Sequence, residues 1–132
     1  MVRYGALTAA LGLLSLAGCG SSKGQNPAAE TATADASAKR VAYAACASCH
    51  SINAGQHGIG PSLAGVFGRT AGGLPDFVYS AALKSSGKVW DEATLDNFLT
   101  SPMAAVPGTH MTYMGQSDPA KRKAVIEYLK TL

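Results

Sequence analysis

The sequence predicts a small all-α domain in which three main helices are joined by long loops. Its 132 residues, of which 47% are hydrophobic, suit one domain with a small core. No stretch alternates apolar and polar residues as a strand would, whereas three segments carry helix signals. The intervals 51–77 and 101–117 are rich in glycine and proline, and loops of that length in so small a domain are usually functional. We therefore expect something other than side chains to fill the centre.

An export segment precedes this domain. After a basic residue, the apolar run 5–16 is shorter than the ~20 residues that span a bilayer. The letters "LAGC" at 16–19 resemble the lipobox of bacterial lipoproteins. We expect residues 1–18 to be a lipoprotein signal peptide and Cys19 to be the lipidated N terminus of the mature chain. Ordinary signal cleavage near Gly18 is the alternative.

The residues after Cys19 predict a flexible tether. Up to residue 37 they are mainly glycine, serine, alanine, threonine and proline with scattered charge. Such a composition buries too little apolar surface to offset the entropy of ordering the chain. We expect residues 19–37 to be a tether and residues 38–132 to be the folded domain.

The first predicted helix covers residues 38–50. This segment is rich in alanine, the strongest helix former, and the helix is expected to run up to a pair of cysteines. Val41 and Tyr43 are expected among its apolar contacts.

Two further helices are predicted from their capping residues. In the segment 91–102, Asp91 can cap the first turn, and a proline marks the end. In the segment 117–132, Asp118 can cap a helix whose first turn contains a proline.

The cysteine pair is followed directly by a histidine, in the order Cys46, Cys49 and His50. Residues three and four apart on a helix share a face, so two thiols and an imidazole can reach one bound group. The pattern C-x-x-C-H is typical of covalent attachment of c-type haem.

Two other chemistries fit the same residues less well. A thiol redox pair is usually set in an α/β fold, and no such pattern surrounds the cysteines. A structural zinc site needs four ligands, and the other candidates, His57 and His110, lack a paired spacing.

Five segments in order resemble the class I c-type cytochromes, in the branch that contains mitochondrial cytochrome c and its bacterial relatives. They are "CASCH" at 46–50, "GIGPSLAGVFGRTAG" at 58–72, "FVYSAALKSSGKVW" at 77–90, "SPMAAVPGTHM" at 101–111 and "RKAVIEYLK" at 122–130. This resemblance implies the small cytochrome c fold, wrapped around one haem c that is bound covalently through Cys46 and Cys49.

The resemblance also implies a set of haem contacts. His50 and Met111 are the implied iron ligands, and the carbonyl of Pro61 is implied to accept a hydrogen bond from the ring of His50. The other implied contacts are Arg69, Tyr79 and Trp90 at the propionates, and Thr109 and Phe98 on the methionine side.

The sequence departs from the family at two notable positions. Leu83 stands where the family usually has an asparagine near the haem, which puts the water network beside Met111 in doubt. His57 matches no family position, and we expect it to be a solvated loop histidine.

Filled axial positions would leave the iron no open site for a substrate, which favours electron transfer over catalysis. The sequence therefore predicts a membrane-tethered monohaem carrier of single electrons, working between a quinol-oxidising complex or dehydrogenase and a terminal oxidase, reductase or reaction centre. The alternatives are a peroxidase-like or ligand-binding haem protein with a labile methionine ligand, and a non-redox sensor or structural lipoprotein.

The charge pattern bears on partners and location. A net charge of +3 is too mild and dispersed to predict nucleic-acid binding. The expected partners are membrane redox complexes, with the protein a monomer, lipid-anchored on the periplasmic side of a bacterial membrane, the inner rather than the outer. Residues 45–68 and 89–120 contain no Lys or Arg, so docking is expected through an apolar surface formed by residues 103–106 and Tyr113.

Overall fold

The structure, a computed structural model, describes residues 27–132. The predicted signal peptide, Cys19 and the first part of the predicted tether lie outside the described residues. The described chain contains five helices: α1 (Pro27–Tyr43), α2 (Ala81–Lys84), α3 (Glu92–Thr100), α4 (Pro102–Ala105) and α5 (Pro119–Leu129). No strand forms between residues 27 and 132, where the one β pairing is an isolated bridge between Thr70 and Val89. The all-α prediction is confirmed.

Helix α1 differs from the first predicted helix at both ends. It begins at Pro27, inside the predicted tether, and ends at Tyr43, before the cysteines. Proline suits the first turn of a helix, and the alanine-rich residues after it favour continuation. Beyond α1 the chain runs in turns, where Cys46 N–H donates to Tyr43 O over 2.8 Å and His50 N–H donates to Cys46 O over 3.0 Å. The haem-attachment motif thus lies on a helical turn after α1. The boundary at residue 37 stays a prediction.

The end of α1 is fixed by one aromatic side chain. Tyr43 is buried, its ring centroid lies 5.0 Å from that of Tyr128 on α5, and its hydroxyl donates to His50 O over 2.8 Å. Val41 does not share this face, because it is exposed to solvent. The prediction that Val41 makes apolar contacts is therefore wrong.

Helices α3 and α5 begin where their capping residues predict. The carboxylate of Asp91 accepts from Thr94 N–H over 2.7 Å, and that of Asp118 accepts from Ala120 N–H over 2.9 Å. Each helix buries one apolar face, formed by Leu95, Phe98 and Leu99 on α3 and by Val125, Ile126 and Leu129 on α5.

The two short helices lie in regions where the sequence predicts no helix. Ser80 caps α2, with its hydroxyl accepting from Leu83 N–H. Ser101 is the last capping residue of α3 and the first of α4. Pro102, which the sequence predicts only as the end of α3, is therefore also the first residue of a new helix. A four-residue helix is too short to show a helical period in the sequence.

The helices meet around a core that leaves one side open to a cavity. Helix α5 packs against both α1 and α3, and α4 packs against α3. The core cluster comprises Val66, Ala71, Trp90, Leu95, Phe98, Leu99, Val106, Val125, Ile126 and Leu129. None of the helices within residues 27–132 has the length and apolar character needed to cross a membrane.

Candidate haem-binding site

One cavity brings together all the residues for which the sequence implies a haem contact. Its volume is about 370 Å³, within the range of ~300–1,000 Å³ that is usual for ligand pockets. Its walls include Cys46, Cys49, His50, Pro61, Arg69, Tyr79, Trp90, Phe98, Thr109 and Met111. Apolar side chains of α3 and α5 complete the lining. The site is therefore a mainly apolar chamber with a few polar groups at defined places.

The two thiols lie in the turn that closes one side of this cavity. Cys46 and Cys49 are both unpaired and half-buried. Burial, with a smaller contribution from the Cys49 thiol, raises the pKa of Cys46 above its ordinary value. A reactive redox thiol needs a lowered pKa, so this environment argues against a thiol redox pair. No group of three or more His, Cys, Asp or Glu side chains in residues 27–132 is arranged to hold a metal ion.

His50 is held by the loop that faces it. Its Nδ1 lies 2.7 Å from Pro61 O, so Nδ1 carries the proton that is donated to this carbonyl. The remaining nitrogen, Nε2, is then free to act as a metal ligand. This hydrogen bond fixes both the tautomer and the plane of the ring.

Gly60 is a site residue that the sequence reasoning missed. A Cβ at this position would lie 2.7 Å from His50 Nδ1 and would collide with the rest of the imidazole. The backbone N–H of Gly60 also donates to Cys49 O over 2.9 Å. Only glycine lets the loop approach the ring so closely. The available signal was a glycine directly before Pro61.

The methionine side of the cavity is shaped by a tight turn. Thr109 N–H donates to Val106 O over 3.1 Å, and Gly108 adopts a φ of 87°, which suits glycine. The buried Thr109 hydroxyl then accepts from Met111 N–H over 3.3 Å. Met111 is the only methionine of the described chain in the cavity wall, since Met103 and Met114 are 54% and 92% exposed and lie outside it.

Leu83 also lines this cavity. Its place in the wall agrees with the expectation that an apolar side chain replaces a polar one near the haem.

Polar side chains from two loops occupy another part of the wall. The guanidinium of Arg69 donates to Ala64 O over 2.9 Å and to Ser62 O over 3.0 Å. Burial raises the pKa of the Tyr79 hydroxyl, which therefore stays protonated and able to donate. Trp90 packs on Phe98 with ring centroids 4.9 Å apart. A cation and donors of this kind suit the carboxylates of a bound ligand.

His57 lies outside the cavity wall, and its predicted role as a solvated loop histidine is wrong. Its side chain is only 17% exposed, and Nδ1 accepts from Ser62 N–H over 3.0 Å. Its Nε2 lies 3.1 Å from Asp76 Oδ2, and this contact lowers the pKa of the Asp76 carboxyl below its ordinary value. The ring also meets the edge of Phe77 at 5.3 Å. His57 thus connects two loops around the cavity.

Comparison with known proteins identifies the family. The family model described as Cytochrome c matches residues 36–132. Cytochrome c2 iso-1 of Magnetospirillum fulvum is 50% identical over 94 residues, which are 70% of this chain and 95% of that protein. Cytochrome c2 iso-2 of Magnetospirillum molischianum is 49% identical over 90 residues, which are 68% of this chain and 93% of that protein.

A solved structure gives the same result. Cytochrome cH from Methylobacterium extorquens is similar with a TM-score of 0.69 and 46% identity, over 74% of this chain and 99% of that chain. A likeness at this identity supports both the fold and the family. The chain belongs to the cytochrome c family. It is an electron carrier rather than an enzyme, and it binds one haem c covalently through Cys46 and Cys49.

Proposed function

We propose that this protein carries single electrons between membrane redox complexes while it is tethered to the membrane, with His50 and Met111 as the two axial ligands of its haem iron. One observation supports Met111 above the other methionines. His50 and Met111 line the same cavity as the attachment cysteines, and the other methionines of residues 27–132 do not. Bound haem supplies an iron that exchanges one electron between its ferric and ferrous states.

The surrounding residues keep the ligands in place and exclude water. The hydrogen bond to Pro61 holds the ring of His50, and Thr109 holds the backbone of Met111. The apolar wall from α3 and α5 lowers the local dielectric, which disfavours the more highly charged ferric state. A thioether ligand acts in the same direction, so a relatively high reduction potential is expected.

The propionate groups of the haem are proposed to lie beside Arg69, Tyr79 and Trp90. Arg69 makes two hydrogen bonds to backbone carbonyls, and a guanidinium has five N–H donors, so further donors remain. The protonated hydroxyl of Tyr79 adds a neutral donor. Together they would offset the cost of burying two carboxylates.

Docking is proposed to occur at the cavity rim, which we define as the cavity-lining residues Ile59, Val78, Thr112 and Tyr113. Ile59 and Val78 are both 86% exposed, which is unusual for apolar side chains beside a cavity. The sequence-predicted surface needs correction, because Val106 is buried in the core and, of residues 103–106, only Met103 and Ala104 are well exposed. None of these four side chains is charged, and the cavity wall within residues 27–132 has no exposed Lys, Arg, Asp or Glu, so an apolar contact with the donor and acceptor complexes is favoured.

The proposed location is the periplasmic side of a bacterial membrane, the inner rather than the outer. The lipobox-like residues before Cys19 support it, and lipid chains at that cysteine would provide the anchor. The tether would keep the domain at a high effective concentration near its partners.

The methionine ligand can be tested by substitution at each candidate. Met111→Ala should remove the weak long-wavelength band of a methionine–ferric iron bond and lower the reduction potential, because the thioether is lost. Met103→Ala and Met114→Ala are the matched controls and should leave both unchanged. A redox titration followed by optical spectra measures both. An unchanged band in Met111→Ala would show that another methionine is the ligand, whereas an open coordination site in the unmodified protein would favour the peroxidase-like alternative.

The close approach of Gly60 to His50 gives a second prediction. In Gly60→Ala the new Cβ displaces the imidazole, so covalently attached haem should show a weakened histidine ligand and a larger high-spin fraction. Gly65→Ala is the control, because its Cβ meets nothing within 4 Å although its φ is 60°; only a backbone cost of about 1–2 kcal/mol is expected. An unchanged spin state in Gly60→Ala, measured by electron paramagnetic resonance, would contradict the prediction.

The anchor can be tested at the predicted lipidation site. Cys19→Ser should release an otherwise intact haem protein into the soluble fraction, since the anchoring energy lies in the acyl chains. Ser21→Ala, which keeps the cysteine, should remain in the membrane fraction. Fractionation followed by haem staining measures the distribution. Membrane retention of Cys19→Ser would refute lipid anchoring at this residue.

Apolar docking predicts weak salt dependence and a specific sensitivity to charge. Salt changes an association rate mainly by screening the charges that steer the two proteins together. The second-order rate of the tether-free domain with its membrane partner should therefore change little between low and moderate salt, and it should lie near the roughly 10⁵–10⁶ M⁻¹s⁻¹ of unsteered association rather than ~10⁸–10⁹. Ile59→Lys should slow it about tenfold by placing a charge in the contact. Val41→Lys is the control, at an exposed apolar site outside the cavity wall. A steep fall of the unmodified rate with salt would exclude apolar docking.

A further inference from the structure

The segment that carries Met111 is held mainly at its two ends. Among the described residues, no backbone N–H of 110–115 donates to a backbone carbonyl, and the only side-chain partner is Thr109, which accepts from Met111 N–H. Regular backbone bonding resumes at Gln116, whose N–H donates to Leu99 O over 2.8 Å. The position of the methionine sulfur therefore depends on how firmly these ends are fixed.

Arg122 fixes the second end. Its Nη1 donates to Gln116 O and to Ser117 O, each over 2.9 Å. Its Nε and Nη2 donate to the two oxygens of Asp96 over 2.7 and 3.3 Å. The side chain is 11% exposed. One guanidinium on α5 thus joins the methionine segment to α3 by four hydrogen bonds.

A glycine shows independently how closely this end lies against α3. Gly115 has a φ of 98°, and a Cβ there would collide with Thr100 O. The chain can pass the end of α3 only without a side chain at this position. Because the backbone is packed so tightly here, a small displacement of this end would be passed on to the rest of the methionine segment.

We propose that Arg122 is a positioning residue for the haem ligand Met111. It holds the C-terminal end of the methionine segment at the distance from α3 that lets the Met111 sulfur reach the iron. It thereby makes the displacement of Met111 by a competing ligand less favourable. This inference rests on the proposed role of Met111. The planar fork of arginine spreads its donors over three nitrogens, so it can reach a carboxylate and two carbonyls at separate places, whereas the three donors of lysine lie on one nitrogen.

Another ion pair provides a control for stability alone. Lys130 Nζ contacts Glu92 on α3 and Glu127 on α5, each over 2.8 Å. It therefore connects the same two helices as Arg122 but makes none of the contacts to residues 116 and 117. Removal of Lys130 tests the α3–α5 connection without releasing the methionine segment.

The experiment measures the affinity of free imidazole for the ferric holoprotein, because imidazole must displace the methionine to bind iron. In Arg122→Gln and Arg122→Lys the affinity should rise about tenfold, as expected when two partly buried carbonyls lose a charged donor. In Lys130→Gln the imidazole affinity should stay within about twofold of that of the unmodified protein, because contacts distant from the methionine segment contribute independently. This should hold even if the denaturation midpoint falls. Hydrogen exchange at Gln116 N–H should quicken in the arginine variants only.

Asp96→Asn covers the case in which the arginine variants do not fold. Asp96 is about half exposed, and its substitution leaves the carbonyl contacts of Arg122 in place, so a smaller rise in imidazole affinity is expected. Equal rises in the Lys130 and Arg122 variants, or no rise in Arg122→Lys and Asp96→Asn, would overturn the inference. Absence of the methionine–iron band in the unmodified protein would overturn the ligand assignment itself, a result distinguishable from the others before any variant is made.

Discussion

The domain depends on a covalent link between one turn of its backbone and the haem at the centre of its core. Cys46 and Cys49 belong to a turn that is tied to the end of α1 and closed by the Tyr43 hydroxyl. On the other side of the cavity, the apolar faces of α3 and α5 contribute to the protein core and to the haem pocket at once, through Leu95, Phe98, Leu99, Val125 and Leu129. The haem is therefore part of the hydrophobic core of a chain too short to build a large one.

The loops around the haem are ordered by hydrogen bonds that converge on one short segment. The carbonyl of Pro61 accepts from His50, the carbonyl of Ser62 accepts from Arg69, and Ser62 N–H donates to His57. The groups that orient the proposed iron ligand are thus linked to those proposed to hold the propionates. This arrangement explains how long loops without regular structure can present ligands with defined positions, as a low-reorganisation electron carrier needs. The methionine side has fewer such bonds, which makes its end contacts more important.

The features that sequence predicted are those encoded by near neighbours. Asp91 and Asp118 lie one residue before their helices, and the C-x-x-C-H spacing is local. The features that it missed depend on long-range contacts: Arg122 meets Asp96 26 positions away, and Gly60 is constrained by the ring of His50. His57 was misjudged because its burial comes from Phe77 and Asp76 on another loop. The start of α1 was misjudged because an alanine-rich segment without apolar periodicity fits both a helix and a tether.

The most direct test of the haem as a core element compares the chain with and without it. A domain of residues 27–132 carrying Cys46→Ala and Cys49→Ala, prepared without haem, should have little helical signal in far-ultraviolet circular dichroism and no cooperative unfolding transition in denaturant. The holoprotein should show both. If the haem-free domain kept the helical signal and the cooperative transition of the holoprotein, the haem would not be part of the core, and the central claim would be contradicted.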